Sequence, residues 1–421
     1  AKRIHSLELH HPIASSKSAK ERFPKYVPEG KWPKSKAKEY LAKKNTGQDN
    51  HPKYVLVDTT YGSLVDQMVS ALDAYVQAQK HKMILVLNPM FTPDGKKALR
   101  SVANPNAYLY MFANGFNRSL LESPTLTMKE FLDTKDGVRF AGANAEELPF
   151  FYHRPEDVEG TARFYNRQTT KDWEFKVVPF SPSGMFTGMN KVCDMMLHRL
   201  DRIKNYCRDT MYSYSCRVII LPNLFTDVHV QSCAHAEPAF VHALSLVRPV
   251  DPIQNSVAQF FRTVRKPVIV LQALQLNRDD PDTFFDFLAV QYDARLERLR
   301  HWRNGTIYII GDRNPKKKNN VQELMRDLEI RWNITTDIFA DPNAIPNIGD
   351  ILQTSWMSGE IQTRDKKQED VLHNYYSLAV AELWIAANCN FYIGREYSSY
   401  SRFLSVYREA LGKKAENVWL F

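Results

Sequence analysis

The stretch NFYIGREYSSYSRFLSVYREALG, residues 390–412, combines residue types that can bind an anion. Its apolar run FYIG ends at Gly394, adjacent serines follow at Ser398 and Ser399, and a helical pattern then begins. A strand, a glycine turn and a helix N-terminus present backbone N–H groups and hydroxyls to a negative group. The sequence therefore predicts an anion-binding corner. A purely structural interpretation stays open, in which Gly394 permits a tight turn and Ser398 caps the helix.

Other patterns that carry chemistry are weak or absent. His10, His11, His235 and His242 lack the spacing of metal ligands, so no metal site is predicted. No GxSxG, P-loop or GxGxxG motif is present. The five cysteines form no CxxC pair, and their odd number builds no complete disulfide framework, which favours a reducing compartment.

Alternating strands and helices must position this corner. The run YVLVD leads through Gly62 into an amphipathic helix and then into the apolar strand MILVLNP, which predicts a βαβ unit and a parallel sheet. LESPTLTMKEFL is predicted to be a capped helix. Further strands are predicted at 217–225, 267–276 and 305–314, and helices at 251–266 and in the segment before Cys389. Two such blocks predict an α/β fold of two facing, doubly wound, Rossmann-like domains.

Length and composition are consistent with two folded domains. The chain has 421 residues, of which 44% are hydrophobic and 24% charged. We assign residues 53–243 to an N-terminal Rossmann-like domain and residues 244–421 to a C-terminal one. No run of 18 apolar residues occurs, which predicts no transmembrane span. The first residues also lack the apolar segment typical of a signal peptide.

The basic charge is concentrated in the first 52 residues. Residues 1–50 hold twelve Lys/Arg and five Asp/Glu, a net charge of +7, whereas the remaining chain is nearly neutral at +2. We expect residues 1–52 to be a basic extended segment that binds a partner, with a disordered tail as the alternative. Spaced aromatic residues would contact the partner: Phe23, Tyr26, Trp32 and Tyr40.

Three motifs resemble those of the GDP-fucose protein O-fucosyltransferase family. VAELWIAANCNFYIGREYSSYSRFLSVYREALG resembles the family's C-terminal signature, with an aromatic-Ile-Gly turn, paired serines followed by an aromatic residue, and a downstream Arg-Glu. YGSLVDQMVSALDAYVQAQKHKMILVLNPMF and GTIYIIGDRN resemble two further elements of the family, in the same order. The resemblance covers most of residues 53–421 and implies the GT-B architecture of two Rossmann-like halves.

The resemblance implies a GDP-fucose site between the halves, from which fucose passes to a Ser or Thr hydroxyl with inversion. No cofactor is expected, and GDP-fucose would be the donor of an active enzyme. Glu382 also has a possible structural role, in which it pairs with an arginine such as Arg395. The residues at donor-contact positions of the family are Gly62, Gln67, Asp312, Glu382, Ser398 and Ser399.

This sequence lacks the family's main cation at the expected position. The family carries an arginine, in a His-Leu-Arg motif after the first strand of its second half, which neutralises the leaving diphosphate. The aligned residues here are Gln272, Ala273 and Leu274. The nearest arginine is Arg278, and four residues of extended strand would displace a side chain by roughly 13 Å. Arg278 therefore replaces the family's arginine only if its loop folds back.

The first element departs as well. The family's Asn-Gln pair is replaced by Asp66 and Gln67. A carboxylate accepts hydrogen bonds but repels a diphosphate unless a cation compensates its charge. If the protein is an active enzyme, Arg278 and Asp66 are the candidate catalytic residues.

Two classes of function are consistent with these observations. The favoured one is an O-fucosyltransferase-like protein without transfer activity, which acts as a structural or accessory subunit of a large mitochondrial assembly, a respiratory complex or ribosome. Residues 1–52 would bind other subunits, and anionic lipid or RNA are further candidate partners. The alternative is an active GDP-fucose-dependent protein O-fucosyltransferase of the secretory pathway, in the lumen of the endoplasmic reticulum or Golgi.

Overall fold

The computed structural model contains two parallel β-sheets with helices packed between them. The predicted N-terminal extension lies outside the residues that the structure describes, and the boundary between two domains stays a prediction. The described residues are 54–57, 64–87, 89–91, 109–111, 115–127, 130–131, 133–137, 149–152, 176–179, 200, 218–221, 233–272, 305–310, 337–339, 345, 378–394, 398–414 and 417–420.

The first sheet is built on the predicted βαβ unit, which the structure confirms. Strand β1 (Tyr54–Val57) leads to helix α1 (Leu64–Lys80) and strand β2 (Ile84–Leu87), and β1 and β2 pair in parallel. The other strands of this part of the chain are β3 (Pro89–Phe91), β4 (Leu109–Met111), β5 (Thr125–Thr127), β6 (Pro149–Tyr152), β7 (Lys176–Pro179) and β8 (Val218–Leu221). The sheet has the order β5-β2-β1-β8-β6-β7, and all its pairs are parallel. Strands β3 and β4 form a separate antiparallel pair.

The second sheet follows two helices and is also parallel throughout. The elements are α2 (Pro238–Leu246), α3 (Asp251–Thr263), β9 (Val268–Gln272), β10 (Thr306–Ile310), β11 (Asp337–Phe339), helix α4 over 378–388, β12 (Phe391–Gly394), α5 (Ser399–Ala410) and β13 (Val418–Leu420). The strand order is β11-β10-β9-β12-β13. The apolar runs VIVLQ and TIYII are the buried strands β9 and β10, as their composition predicts.

Helix α1 lies at the centre of the core. Every residue from Leu64 to Ala78 is buried, and α1 packs against strands β1 and β2 as well as helices α2 and α5. One hydrophobic cluster therefore includes side chains from both sheets. Within the described part of the chain, no helix is long and apolar enough to cross a membrane.

The segment predicted as one capped helix contains a strand and then a helix cap. Thr125–Thr127 pairs in parallel with β2, because its β-branched residues suit a strand at the edge of the sheet. The cap follows directly: the Thr127 N–H donates to Glu130 Oε2 at 2.8 Å, and the Glu130 N–H donates to Thr127 Oγ1 at 3.2 Å. The prediction of a helix was wrong for residues 125–127, and the predicted cap is present at Thr127 and Glu130.

Candidate functional site

The carboxyl ends of β9 and β12 meet the N-terminus of α5 at one edge of the second sheet. β9 ends at Gln272, its parallel neighbour β12 ends at Gly394, and Ser398 is the N-cap of α5. The Ser398 hydroxyl accepts a hydrogen bond from the Ser401 N–H at 3.4 Å. Ligands of open parallel sheets bind beyond such strand ends. The predicted strand and the helix capped by Ser398 are confirmed, whereas the turn that joins them, 395–397, lies outside the described residues.

A neutral amide fills the inner side of this corner. Gln272 Nε2 donates to Ser398 Oγ at 3.2 Å, while Gln272 Oε1 accepts hydrogen bonds from Tyr392 OH at 2.9 Å and from Ser401 Oγ at 2.5 Å. The Tyr392 and Ser401 hydroxyls lie 3.0 Å apart, and Gln272 is only 5% exposed. Buried polar side chains are stable when they are paired in this way. We call these four residues the Gln272 network.

Gly394 is required at the corner because of close contact between β12 and α5. A Cβ atom at this position would overlap with Ser401 Oγ and would lie 2.5 Å from Tyr392 OH. Among the described glycines, only Gly412 has the positive φ that favours glycine for conformational reasons. Gly394 therefore allows the Gln272 network to assemble, which is a different role from the tight turn considered above.

The side chains of the Gln272 network are all uncharged. Burial raises the pKa of Tyr392 far above its ordinary value of 10.0, so its hydroxyl stays protonated. Burial, followed by neighbouring Tyr392 and Glu382, also raises the pKa of Tyr400 in the first turn of α5. The network supplies hydrogen-bonding groups to the corner but no positive charge.

Glu382 has a structural partner on the second sheet. It lies on α4, is 8% exposed, and accepts a hydrogen bond from Tyr308 OH on β10 at 3.3 Å. The ring of Tyr308 packs edge-on against Phe260 of α3. Arg395, the partner considered from the sequence, lies outside the described residues. A contact between Glu382 and a nucleotide stays a prediction.

Arg408, from the Arg-Glu of the C-terminal motif, caps helix α4. Its side chain is 1% exposed, and Nη1 donates to Ala386 O at 2.7 Å and to Cys389 O at 3.0 Å. Nη2 also lies 3.4 Å from Asn390 O. These carbonyls carry the negative end of the α4 dipole, which a guanidinium stabilises. Because they precede β12, Arg408 lies at the opposite end of that strand from Gly394.

No described contact joins the remaining predicted site residues to this corner. Asp66 and Gln67 are buried in the first turn of α1, where Ser70 Oγ donates to the Asp66 carbonyl at 3.0 Å. Ser399 is the half-buried first residue of α5. The predictions for these three residues as donor contacts stay untested. Three other predicted site residues, Gly62, Arg278 and Asp312, lie outside the described residues. The aligned residues Ala273 and Leu274 also lie outside them.

Sequence reasoning missed two residues of the corner, Tyr392 and Ser401. Tyr392 is two residues before Gly394 on β12, so both lie on the same face of the strand. Ser401 is three residues after the N-cap Ser398, at the position whose N–H the cap accepts. The spacing could have indicated that Tyr392 and Ser401 lie near the corner. It could not indicate their shared partner, Gln272, which is more than 100 residues away in the sequence.

His235 and His242 contact side chains of neighbouring elements. His242 Nε2 lies 3.2 Å from Glu122 Oε1, which links α2 to the segment before β5. The ring of His235 packs against Phe240 of α2 and Phe403 of α5, and its Nε2 is buried without a hydrogen-bond partner. Within the described ranges, no three His, Cys, Asp or Glu side chains are placed to hold a metal ion.

We predict that acidification destabilises the contact between α2 and α5 through His235. Burial, with a contribution from the charge of Arg402, lowers the pKa of His235 from 6.5 to about 4. A lowered pKa means that the folded state favours the neutral imidazole ring of His235. The stability gained from keeping this ring neutral is complete above pH 6.5 and is lost as the pH falls towards 4. Urea unfolding should show a loss of about 1–3 kcal/mol over this range. The loss should be smaller in His235→Phe, and an equal loss in that variant would contradict the assignment.

The cysteines differ from the expectation based on their number. Cys233 is disulfide-bonded, which does not favour the reducing compartment inferred from the odd number of cysteines. Cys389 is a free, buried thiol whose pKa is raised to about 11 by burial. A thiol with this pKa is protonated and unreactive at neutral pH. A disulfide is typical of oxidising compartments.

Comparison with known proteins supports the fold alone. No protein-family model matches the chain, and no curated protein does. The chain is similar to crystal structures of POFUT1. The complex of POFUT1 with GDP has a TM-score of 0.50 and 12% sequence identity, covering 89% of this chain and 99% of the POFUT1 chain. The complex of POFUT1 with GDP-fucose (crystal form II) has a TM-score of 0.52 and 12% identity, with the same two coverages. NodZ α-1,6-fucosyltransferase co-crystallised with GDP has a TM-score of 0.41, with 13% identity over 84% of this chain and 91% of that chain.

The chain therefore has a fucosyltransferase-like α/β fold with parallel sheets, as the sequence motifs predicted. The likeness extends over nearly the whole length of the POFUT1 chains. At this level of identity it does not establish membership of the family or an activity.

Proposed function

We propose that this protein is a fucosyltransferase-fold protein without transfer activity, which serves as a structural or accessory subunit of a larger assembly. The observation that carries the proposal is the Gln272 network. At the position aligned with the histidine of the family's motif, strand β9 ends in a buried, neutral amide that is already bonded to Ser398, Ser401 and Tyr392. The position aligned with the motif's arginine is Leu274.

Electrostatics explains why this change matters for transfer. Fucose leaves GDP as positive charge develops on the sugar and negative charge on the diphosphate, so a fixed cation stabilises the transition state more than the ground state. Charge-assisted hydrogen bonds from a guanidinium are roughly twice as strong as neutral ones. A glutamine amide donates at most two hydrogen bonds and both are neutral, and one of those from Gln272 already goes to Ser398.

The subunit role is supported by the charge distribution of the chain. A net charge of +7 within residues 1–50 suits an acidic protein surface, anionic lipid or RNA in an assembly. The location that we propose is mitochondrial. Gentle isolation of the native protein should recover it in a large particle, and removal of residues 1–52 should release it. Recovery as a free monomer would contradict the subunit role.

A charge-restoring variant tests the loss of donor binding. We expect the double substitution Gln272→His with Leu274→Arg to bind GDP with a Kd of about 1 mM or tighter, because it puts a cation at the position aligned with the arginine of the family's motif. Gln272→His alone is the matched control, since it changes the network without adding the arginine. Calorimetry should detect no binding to the control. Equal affinity in both variants would show that the alignment of this strand is wrong.

An active enzyme is the second candidate, favoured by the disulfide at Cys233. Disulfides persist in the lumen of the endoplasmic reticulum and Golgi, where a GDP-fucose-dependent protein O-fucosyltransferase would act. Arg278 would then supply the cation and Asp66 would lie near the acceptor. The donor would contact Gly62, Gln67, Asp312, Glu382, Ser398 and Ser399. Release of GDP from GDP-fucose that stops in Arg278→Ala would support this candidate over the first.

A further inference from the structure

The segment between α2 and α3, residues 247–250, is bonded along one edge to the part of the chain that leads into the first sheet. We call residues 247–250 the strap. The Val250 N–H donates to the Gly115 carbonyl at 3.0 Å, and the Asn117 N–H donates to the Arg248 carbonyl at 2.8 Å. These reciprocal bonds form a short antiparallel bridge. They fix the strap to the residues that precede β5.

Apolar burial reinforces this edge of the strap. Phe116 and Pro249 are the residues paired in the bridge, and both are buried, as is Val247. Separation of the two segments would expose these side chains to water in addition to breaking two hydrogen bonds.

The other edge of the strap contacts helices of the second sheet. Tyr407 OH, on α5, donates to the Val247 carbonyl at 2.8 Å. The guanidinium of Arg248 lies over the ring of Trp384 on α4, 5.6 Å from its centroid, and Nη1 also donates to the Val247 carbonyl at 2.7 Å. The strap is therefore held between residues 115–117, which precede β5 of the first sheet, and helices α4 and α5, which flank β12 of the second sheet in the sequence.

We propose that the strap is a fixed cross-connection, so that the two sheets move as one unit and do not open about residues 247–250. A hinge needs a few residues whose φ and ψ can change freely. Here one of the four residues is proline, and the N–H groups or carbonyls of the other three are bonded to neighbouring elements. The packing of α1 against α2 and α5 resists the same motion. This inference does not depend on the proposed function, because both an inert scaffold and an active enzyme could contain the strap.

Hydrogen exchange of the wild-type chain tests the proposal directly. The amides of Asn117 and Val250 should exchange at rates within about tenfold of the amides of β1 and β9, because their opening requires that both sheets lose their contacts. Exchange about 100-fold faster than in both strands would show that the strap opens independently, and would overturn the proposal.

A matched pair of variants adds a second test. Val250 has φ −62° and ψ 152°, which proline adopts readily, so Val250→Pro removes the N–H donor without requiring another backbone conformation at this residue. Val250→Ala removes the side chain and keeps the donor. We expect the Asn117 amide to exchange at least about tenfold faster in the proline variant and to change less than about threefold in the alanine variant. Unchanged exchange in the proline variant would overturn the proposal, and if that variant does not fold, the wild-type rates decide.

Discussion

Replacement of Arg408 by methionine is expected to lower the free energy of unfolding by about 3 kcal/mol. The guanidinium is almost completely buried and donates to carbonyls of Ala386, Cys389 and Asn390, which end α4. Methionine fills a similar volume but donates no hydrogen bond, so these carbonyls lose the guanidinium, and Ala386 O keeps the weaker donor Cys389 Sγ at 3.1 Å. Urea denaturation monitored by far-UV circular dichroism measures the change.

Two further arginine variants give the prediction its controls. Arg408→Lys keeps the charge but loses the planar fork that reaches several carbonyls at once, so we expect it to lose about 2 kcal/mol. Arg262→Ala, in the exposed last turn of α3, should change stability by less than about 0.5 kcal/mol. A loss below about 1 kcal/mol in Arg408→Met would mean that Arg408 does not cap α4.

Replacement of Gly394 by alanine should destabilise the protein by about 3 kcal/mol, since the new methyl group overlaps with the Gln272 network. The added carbon would meet Ser401 Oγ and lie 2.5 Å from Tyr392 OH, and both hydroxyls donate to Gln272 Oε1. Either β12 moves away from α5 or the network breaks. Thermal and urea unfolding would both report the loss.

Gly412 supplies the matched control for this prediction. It has φ +75° and open space where a Cβ would be, so Gly412→Ala costs only the backbone strain, about 1 kcal/mol. Adding Ser401→Ala to Gly394→Ala removes one of the overlapping atoms, and we expect the two changes together to cost less than their sum. Strict additivity would show that Gly394 and Ser401 do not crowd one another.

The framework of the fold could be predicted because local patterns reflect it. The period of α1 and the apolar runs of β1, β2, β9 and β10 depend only on neighbouring residues, and all these elements are observed. The error at Thr125–Thr127 has a physical reason. Three residues are too few to show a period, and their strand exists because they pair with β2, some 40 residues earlier in the chain.

The candidate site could be predicted only in part. The motif around Gly394 and Ser398 indicated the corner, because the strand, turn and cap are contiguous in the sequence. Its chemical character depends on Gln272, which reaches the corner from a strand more than 100 residues earlier. A single sequence identifies a glutamine at that position, but only the fold shows that its amide is bonded to Ser398, Ser401 and Tyr392.

Isothermal titration of GDP-fucose into the full-length protein tests the central claim most directly. With Gln272 and Leu274 at the positions aligned with the histidine and arginine of the family's motif, we predict no saturable heat at donor concentrations up to about 1 mM. Saturable binding with a Kd of about 10 μM or tighter would contradict the account, because it would require a fixed positive charge beside the Gln272 network.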